Sequence, residues 1–501
     1  MLEPPHFFVL SMTILLINSH FNGSMTILLI NSHFNGKSEI PPLGLQYIAA
    51  PLLDAGLAVS ILDLDIMGPE AHDQVLLEAL RQCNPRIIGV TSLSNSFASA
   101  RQILQIAKAA RPEILTVLGG IHATVLSDSL LLNDPDIDVI VRGEGEMTFA
   151  ELVGNHFAGR SFDGIPGISF RKGNQIVHQA DRPLCRDLDD LPLPAHHLVE
   201  NSSYRTRSIS SSRGCAHSCT FCSIQALYHR VVRTRSVPGM MAEIEGLLHY
   251  GARRIMFTDD NFTFDFDRVR DLCGEIIRRG YHRLVAFYAQ GRMHDLCRHR
   301  LMAGLLSAAG FQALYIGAES GSADILNYYQ KKMLPEELLQ GVSLCVEQNL
   351  TPVVNFILFG PQDTRDTLRQ TLRLARQLFE NGAEIAYTEA LIPYPGTPIK
   401  ATLEQDGKFR EDGDIYYFES YRGLDMSWIL QLCDLSRQLA ILFHGQDRFF
   451  EQQKVYYEFG YLDELLDGRL PADLEKARCH PDQHQEDVLL LYDRAQMLLD
   501  G

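Results

Sequence analysis

The stretch Arg213-Gly214-Cys215-Ala216-His217-Ser218-Cys219-Thr220-Phe221-Cys222 decides how this chain is read. It sets three cysteines at C-x3-C-x2-C, with an aromatic residue just before the last, and comes after a strand-like run from Thr206 to Ser212. Thiolates this close in sequence converge on one metal centre when a tight loop brings them round. A closed structural zinc site usually takes four protein ligands, and iron–sulfur cubanes are normally held by four cysteines. A cubane held by three keeps one iron open to a further ligand. Spacing alone leaves two other readings: a zinc knuckle short of its fourth ligand, and three cysteines that are merely neighbours. His217 is a fourth zinc ligand on paper, but it lies inside the loop between two of the cysteines.

The chain has 501 residues, which suggests about three domains. Hydrophobic residues make up 46% and charged residues 21%, an ordinary balance for a globular protein in water. The net charge of −17 argues against a protein whose main task is to grip nucleic-acid backbone, which needs a basic surface. Of ten cysteines, the seven outside the loop (Cys83, Cys185, Cys273, Cys297, Cys345, Cys433 and Cys479) are scattered. That is not a secreted disulfide framework, and a reducing, cytoplasmic location is expected. Phe7–Leu10 and Ile14–Ile17 are apolar, but neither a basic n-region nor a small-residue cleavage site accompanies them. No run approaches the ~20 apolar residues of a membrane span. Ser11–Gly23 (SMTILLINSHFNG) recurs letter for letter as Ser24–Gly36. One such copy is not a solenoid, which needs several diverged units. The second copy runs directly into the alternating strand–helix region, so it is expected to supply the first strand, and residues 1–23 an appendage.

From Met25 the pattern alternates strand and helix: Thr26–Asn31, Ala58–Leu62, Ile87–Thr91, Leu115–Leu118 and Val139–Val141 read as strands, with helices between them and Glu146–Phe157 closing the series. Strands that are apolar throughout indicate a parallel sheet covered on both faces. Ligands of such sheets sit at the carboxyl ends of the strands. The loops there carry Ser92, Ser94 and Ser96, then Gly119-Gly120-Ile121-His122-Ala123-Thr124, then Arg142-Gly143-Glu144-Gly145-Glu146. No G-x-G-x-x-G comes after the first strand. Further on, Gly164–Val177 reads as a hairpin and Arg186–His197 as an acidic, proline-bearing strap.

After the cysteine loop come further helix–strand units, six repeats in all with the cysteine-bearing strand. Their strands end in Asp259-Asp260-Asn261-Phe262, Gln290-Gly291-Arg292, Gly317-Ala318-Glu319-Ser320-Gly321, Phe359-Gly360-Pro361 and Pro393-Tyr394-Pro395-Gly396-Thr397-Pro398. In such barrels catalytic groups cluster at the C-terminal ends of strands. These loops suit a zwitterionic, ribose-bearing ligand. Asp259 and Asp260 offer carboxylates to an amino group, and Arg292 offers a cation to a carboxylate. Glu319 and Ser320 offer ribose partners, and Phe221 an aromatic face to a base. The alternative for each carboxylate is a helix N-cap at a strand–helix turn. The region from Ala401 to Gly501 is helix-rich, with helical spacing over Trp428–Phe443 and Asp487–Leu499 and a density of tyrosines, and reads as a cap over the barrel mouth. His480–His484 reads as a solvated loop rather than a metal site.

The cysteine loop resembles that of the radical SAM enzymes, in which the open iron of a 4Fe-4S cluster chelates S-adenosylmethionine. The Gly-Gly-x-His-x-Thr and Arg-Gly-Glu-Gly-Glu motifs resemble the cobalamin-binding domain that precedes many radical SAM barrels. Thr-Asp-Asp-Asn-Phe stands where that family often carries Gly-Gly-Glu. Gly-Ala-Glu-Ser-Gly is similar to its fourth-strand motif, and Pro-Tyr-Pro-Gly-Thr-Pro is common in its cobalamin-dependent branch. The resemblance spans Met25 to about Lys400. It implies Cys215, Cys219 and Cys222 as cluster ligands. Phe221, Asp259, Asp260, Arg292, Glu319 and Ser320 are implied around S-adenosylmethionine, and Gly119, Gly120, His122 and Glu144 around the corrin, with Ser92 and Ser94 beneath it. The Asp-x-His-x-x-Gly motif, which supplies an axial histidine to cobalt elsewhere, is absent, so no such histidine is expected.

The expected architecture is α/β. Residues 1–23 are an appendage, 24–160 a Rossmann-like cobalamin-binding domain and 161–204 a linker with a hairpin. Residues 205–400 are a partial (β/α)6 radical SAM barrel and 401–501 a helical region. The implied reaction begins with electron transfer from the reduced cluster to S-adenosylmethionine. The 5′-deoxyadenosyl radical then takes a hydrogen atom from a small-molecule substrate, and methylcobalamin delivers a methyl group. An electron donor such as flavodoxin or ferredoxin is implied. Ring formation or rearrangement with the same cofactors, as in the anaerobic magnesium-protoporphyrin monomethyl ester cyclase, stays open as the alternative. The intact cysteine triad argues against a non-catalytic cobalamin sensor. Transfer RNA methylthiolation would bring three further N-terminal cysteines and a basic tail, neither of which is present.

Overall fold

The structure, a computed structural model, describes residues 26–33, 40–67, 71–199, 203–386, 391–412 and 415–418, and within the C-terminal region 431, 435–438, 461–474, 490–495 and 497. The first copy of the repeat lies outside the described residues, as do His480–His484 and most of both expected C-terminal helices.

The second copy of the repeat is strand β1 (Thr26–Asn31), buried along its length. Its side chains alternate between two cores: Leu28 and Ile30 pack on one face, Ile27 and Leu29 on the other. A strand apolar at every position can sit only where helices cover both faces. Around it stand β2 (Ala58–Asp63), β3 (Ile87–Thr91), β4 (Leu115–Gly119) and β5 (Val139–Val141), all parallel, in the order β2-β1-β3-β4-β5. The order reverses between β1 and β3, which opens a crevice at the strand ends. The linker hairpin does not stand apart. Its strands β6 (Ile168–Lys172) and β7 (Gln175–His178) extend the same sheet antiparallel beyond β5, giving seven strands. Arg142 fixes this join by donating to Ser169 Oγ at 2.6 Å.

The second sheet has six parallel strands, ordered β15-β14-β13-β12-β11-β8: β8 (Arg207–Ile209), β11 (Arg254–Phe257), β12 (Ala286–Gly291), β13 (Phe311–Glu319), β14 (Thr351–Phe356) and β15 (Glu384–Ala386). Side-chain caps start the intervening helices. Ser236 Oγ accepts from Gly239 N–H, Asp265 from Arg268 N–H, and Thr364 Oγ1 from Thr367 N–H. The strand expected from Thr206 to Ser212 is broken. After β8 the chain turns at Ser210–Ser211, and β9 (Ser212–Arg213) pairs antiparallel with β10 (Arg233–Thr234). The whole cysteine loop therefore hangs from a narrow two-stranded neck.

The strap touches both domains. Its Ala195 N–H donates to Gln46 O at 3.0 Å in the first domain. Its neighbour His196 reaches Glu243, on the barrel helix Val237–His249, at 3.1 Å. The described part of the C-terminal region docks on the helix Arg365–Glu380, where Arg369 pairs with Asp463 at 3.2 Å and Asp467 at 2.9 Å. Leu462, Leu465, Leu466 and Leu474 join the barrel core there. Among the described residues this region is thus fixed to a barrel flank, where a cap over the mouth was expected. No helix among the described residues is long and apolar enough to cross a membrane.

Candidate functional site

The two sheets point their carboxyl ends at one another across a cavity of about 380 Å³. From the first domain it is lined by Thr91 at the end of β3, Gly119 and Gly120 at the end of β4, Gly143 to Glu146 after β5, and Leu43 to Leu45, Tyr47 and Ile48 on the helix Leu43–Asp54. From the barrel come Ser210, Ser212, Arg213, Ile224, Leu227, Tyr228, Thr258 and Asp260.

At the ends of β4 and β5 the first wall is glycine backbone. A Cβ on Gly119 would find no protein atom nearer than 3.8 Å, and one on Gly143 none within 4 Å, so both leave room on the cavity side. Gly120 is constrained from behind: its φ is +97°, and a Cβ would meet Ser92 O at 2.3 Å. Behind this wall His122 Nδ1 and Ser94 Oγ are hydrogen-bonded at 3.1 Å, with the imidazole stacked on Phe97 at 4.3 Å. Ser92 N–H donates to Gly119 O at 3.0 Å. Burial and the charge of Arg101 push His122 down to about 4, so it is neutral at pH 7. Of the expected corrin residues, Gly119, Gly120 and Glu144 face the cavity, whereas Ser92, Ser94 and His122 form its backing.

On the barrel side adjacent aspartates do different work. Asp259 is fully buried and used by the fold. Ser211 donates to it through N–H at 3.1 Å and Oγ at 2.6 Å, Ser212 Oγ donates as well, and Arg268 lies 4.0 Å away. These bonds bend the chain between β8 and β9, and they leave Asp259 little to offer an amino group. Asp260 faces the cavity and accepts Gly214 N–H at 2.8 Å. Burial raises its carboxyl to about 6 against the pull of that hydrogen bond.

The three thiols sit at the loop's far side. Burial raises Cys215, and burial together with the charges of Cys219, Asp260 and Cys215 pushes Cys222 up to about 11. Cys215 and Cys222 thus feel the groups around them and need a positive partner to ionise. Arg292 supplies part of that charge, donating to Cys219 Sγ at 3.8 Å and to Lys331 O. Among the described residues no group of His, Cys, Asp or Glu is gathered so as to hold a single metal ion. His217 therefore does not complete a zinc site there; burial and the charge of Arg292 push it down to about 4. Three free thiols on one loop, with Arg292 beside Cys219, are the ligand type a cubane takes. The glycine-walled cavity at the switch point fits a corrin in the same way.

Beside the loop, Phe221 meets Tyr329 edge-on at 5.2 Å. Glu319 has a left-handed φ of +66° and is paired with Lys331 Nζ at 2.6 Å, both side chains buried. Ser320 Oγ lies 3.0 Å from Thr371 Oγ1. Lys331, Arg213, Arg233 and Tyr47 were missed by sequence reasoning. Arg213 alone had a local signal, its place directly before Gly214-Cys215.

Residues 34–153 match the family described as the B12 binding domain, and residues 209–375 match the radical SAM superfamily. An uncharacterized methyltransferase of Pyrococcus horikoshii is 30% identical over 371 residues, 72% of this chain and 77% of that protein. This chain belongs to the cobalamin-binding radical SAM enzymes. The anaerobic magnesium-protoporphyrin IX monomethyl ester cyclase of Cereibacter sphaeroides is 28% identical over 76% of this chain and 62% of its own length. Among solved structures, the cobalamin-dependent S-adenosylmethionine radical enzyme OxsB superposes with a TM-score of 0.73, at 18% identity, over 95% of this chain and 79% of that one. The cofactors of this radical SAM enzyme are a 4Fe-4S cluster, S-adenosylmethionine and cobalamin.

Proposed function

We propose that this enzyme methylates an unactivated carbon of a small molecule. The observation that carries the reading is the single chamber, walled by the strand-end glycines of the cobalamin domain on one side and by Asp260, Arg213 and Tyr228 of the barrel on the other. A methyl donor and a radical generator set on opposite walls can act in turn on one carbon between them. When bound, the three groups supply homolytic carbon–hydrogen activation and a transferable methyl group. The chain's share is positioning and exclusion of water. Gly119 and Gly143 admit a flat ring close to the backbone, and Leu43, Ile48 and Leu227 keep the chamber apolar. Asp260 orients the start of the thiol loop and is free on its cavity side for an amino group. Arg292 and Lys331 bring two positive charges to the barrel mouth, Arg292 for the cluster edge or a carboxylate. Phe221, Glu319 and Ser320 frame the space for a nucleoside. A one-electron donor of the flavodoxin or ferredoxin type, in a reducing cytosol, completes the scheme.

The test is product mass. Anaerobically reconstituted, cobalamin-loaded enzyme is incubated with methyl-labelled S-adenosylmethionine and candidate substrates. A product carrying the labelled methyl group is expected. A transformed product without label would overturn the proposal in favour of ring formation, the reaction named for the cyclase relative.

A further inference from the structure

One carboxylate of the cobalamin domain holds shut the loop that carries the cluster cysteines. In the neck of that loop Arg213 stands directly opposite Arg233. Glu144, from the loop after β5, lies across the pair. Its Oε1 accepts from Arg213 Nη1 at 2.9 Å, and its Oε2 accepts from Arg233 Nη1 at 2.8 Å. Neighbouring contacts tighten the grip. Arg213 Nη2 donates to Glu146 Oε1 at 2.6 Å, and its guanidinium covers the Tyr47 ring at 4.9 Å. Cys185, just before the strap, donates its N–H to Glu144 at 3.0 Å, and its carbonyl accepts from Arg233 at 2.7 Å. The residue after Arg213 is Gly214, tied to Asp260, and the next is Cys215.

The neck needs this help. Each of its strands is two residues long, too short for the ladder alone to close it. Without Glu144, two guanidinium groups would face each other across the ribbon in a buried setting, with Glu146 the acid left to pair with them among the described residues. Like charges held close in low dielectric repel strongly. Glu144 and Glu146 also line the cavity, so whatever fills that cavity presses on the same loop that holds the neck. Both Glu144 oxygens are already engaged by the protein, so the residue acts through the two arginines.

We propose that Glu144 is a positioning residue that couples occupancy of the cobalamin cavity to the integrity of the thiol loop. Corrin in the cavity steadies the loop after β5, Glu144 passes that restraint to Arg213 and Arg233, and the closed neck keeps the three thiols gathered on the cluster. Coupling of this kind is reciprocal between the two sites. The inference rests on the two-cofactor membership of the chain and not on the reaction proposed above. Its readouts need no turnover, so failure of the methylation reading would leave it standing.

The experiment measures the rate at which the reconstituted cluster gives up iron to a coloured chelator, anaerobically, with and without hydroxocobalamin. Corrin binding is tracked by absorbance in the same samples. In the unaltered protein, hydroxocobalamin is expected to slow iron release by roughly fivefold or more. In Glu144→Gln, corrin still binds and that slowing is lost. Equal slowing in Glu144→Gln, or none in the unaltered protein, would overturn the proposal. If Glu144→Gln does not fold, Arg233→Met and Arg233→Lys carry the test: the first is expected to lose the slowing and the second to regain part of it. Slowing unchanged in Arg233→Met overturns the coupling. Corrin binding abolished in Glu144→Gln but intact in Arg233→Met does so too, because Glu144 would then touch the corrin directly.

Discussion

At the strand ends of the cobalamin domain the chamber wall is made by leaving side chains out. At the strand ends of the barrel it carries Asp260 and Arg213, charged side chains that the protein already holds. Gly119, Gly120 and Gly143 leave backbone facing the cavity. Across from them Asp260 accepts Gly214 N–H and Arg213 is paired with Glu144 and Glu146; away from the cavity lining, Asp259 is bound to Ser211 and Ser212, and Glu319 to Lys331. We attribute the contrast to the ligands proposed for each wall. A large flat ring is gripped over its area and needs close approach. A cluster and a zwitterion are held through charge, and charges in a dry site must be paired before the ligand arrives.

If the contrast is right, the two walls fail in different ways. The largest effect belongs to the thiol loop. Cys219→Ala should abolish the charge-transfer absorbance of the reconstituted cluster while corrin binding survives, both read from visible spectra. Corrin loss in the same variant would mean that the walls are not separable. Next comes the buried pair. Lys331→Met leaves Glu319 charged and unpaired, and should cost about 3–5 kcal/mol in chemical denaturation. A cost near zero would mark the pair as solvated. On the other wall, Gly120→Ala forces a Cβ against Ser92 O at a left-handed φ and should cost about 1–3 kcal/mol. Gly119→Ala, with open space before it, should leave the denaturation midpoint in place and lower corrin affinity instead. The two readouts exchanging places would invert the assignment of cavity face and backing.

The smallest effect is a pH dependence. Asp363, in the loop after β14, accepts Gly360 N–H at 2.6 Å, and burial raises its carboxyl from 3.8 to about 6 despite the hydrogen bonds from Thr367 and Gly360. Between those values the folded state binds more protons than the unfolded one, so stability contributed here falls as pH rises through about 4 to 6 and is level above. Asp363→Asn should flatten that part of the unfolding curve; an unchanged slope would place its source elsewhere.

Much of this was legible in the chain. The apolar runs at Thr26–Asn31 and Ile87–Thr91 could only be central parallel strands, and the glycines and acids just after such runs fall at strand ends. What escaped the sequence was the partner of each group. Asp259 and Asp260 are adjacent and chemically identical, yet one is consumed by a chain bend and the other faces the cavity. The resemblance of Arg142-Gly143-Glu144-Gly145-Glu146 to a cobalamin-binding motif placed Glu144 near the corrin, and it does line the cavity. Its actual partners, Arg213 and Arg233, lie 69 and 89 residues away. The hairpin at Ile168–His178 read as linker because no local signal says which sheet an edge strand joins.

The sequence by itself determined the two parallel sheets, the thiol triad and the loops that bear the chemistry. These depend on hydrophobic period and on residues close along the chain. Only the tertiary structure decided that both sheets open onto one chamber, which aspartate faces it, and that a carboxylate of one domain closes the neck of the other's cysteine loop. Those are matters of buried charge, and a buried charge is settled by whichever opposite charge the fold carries to it.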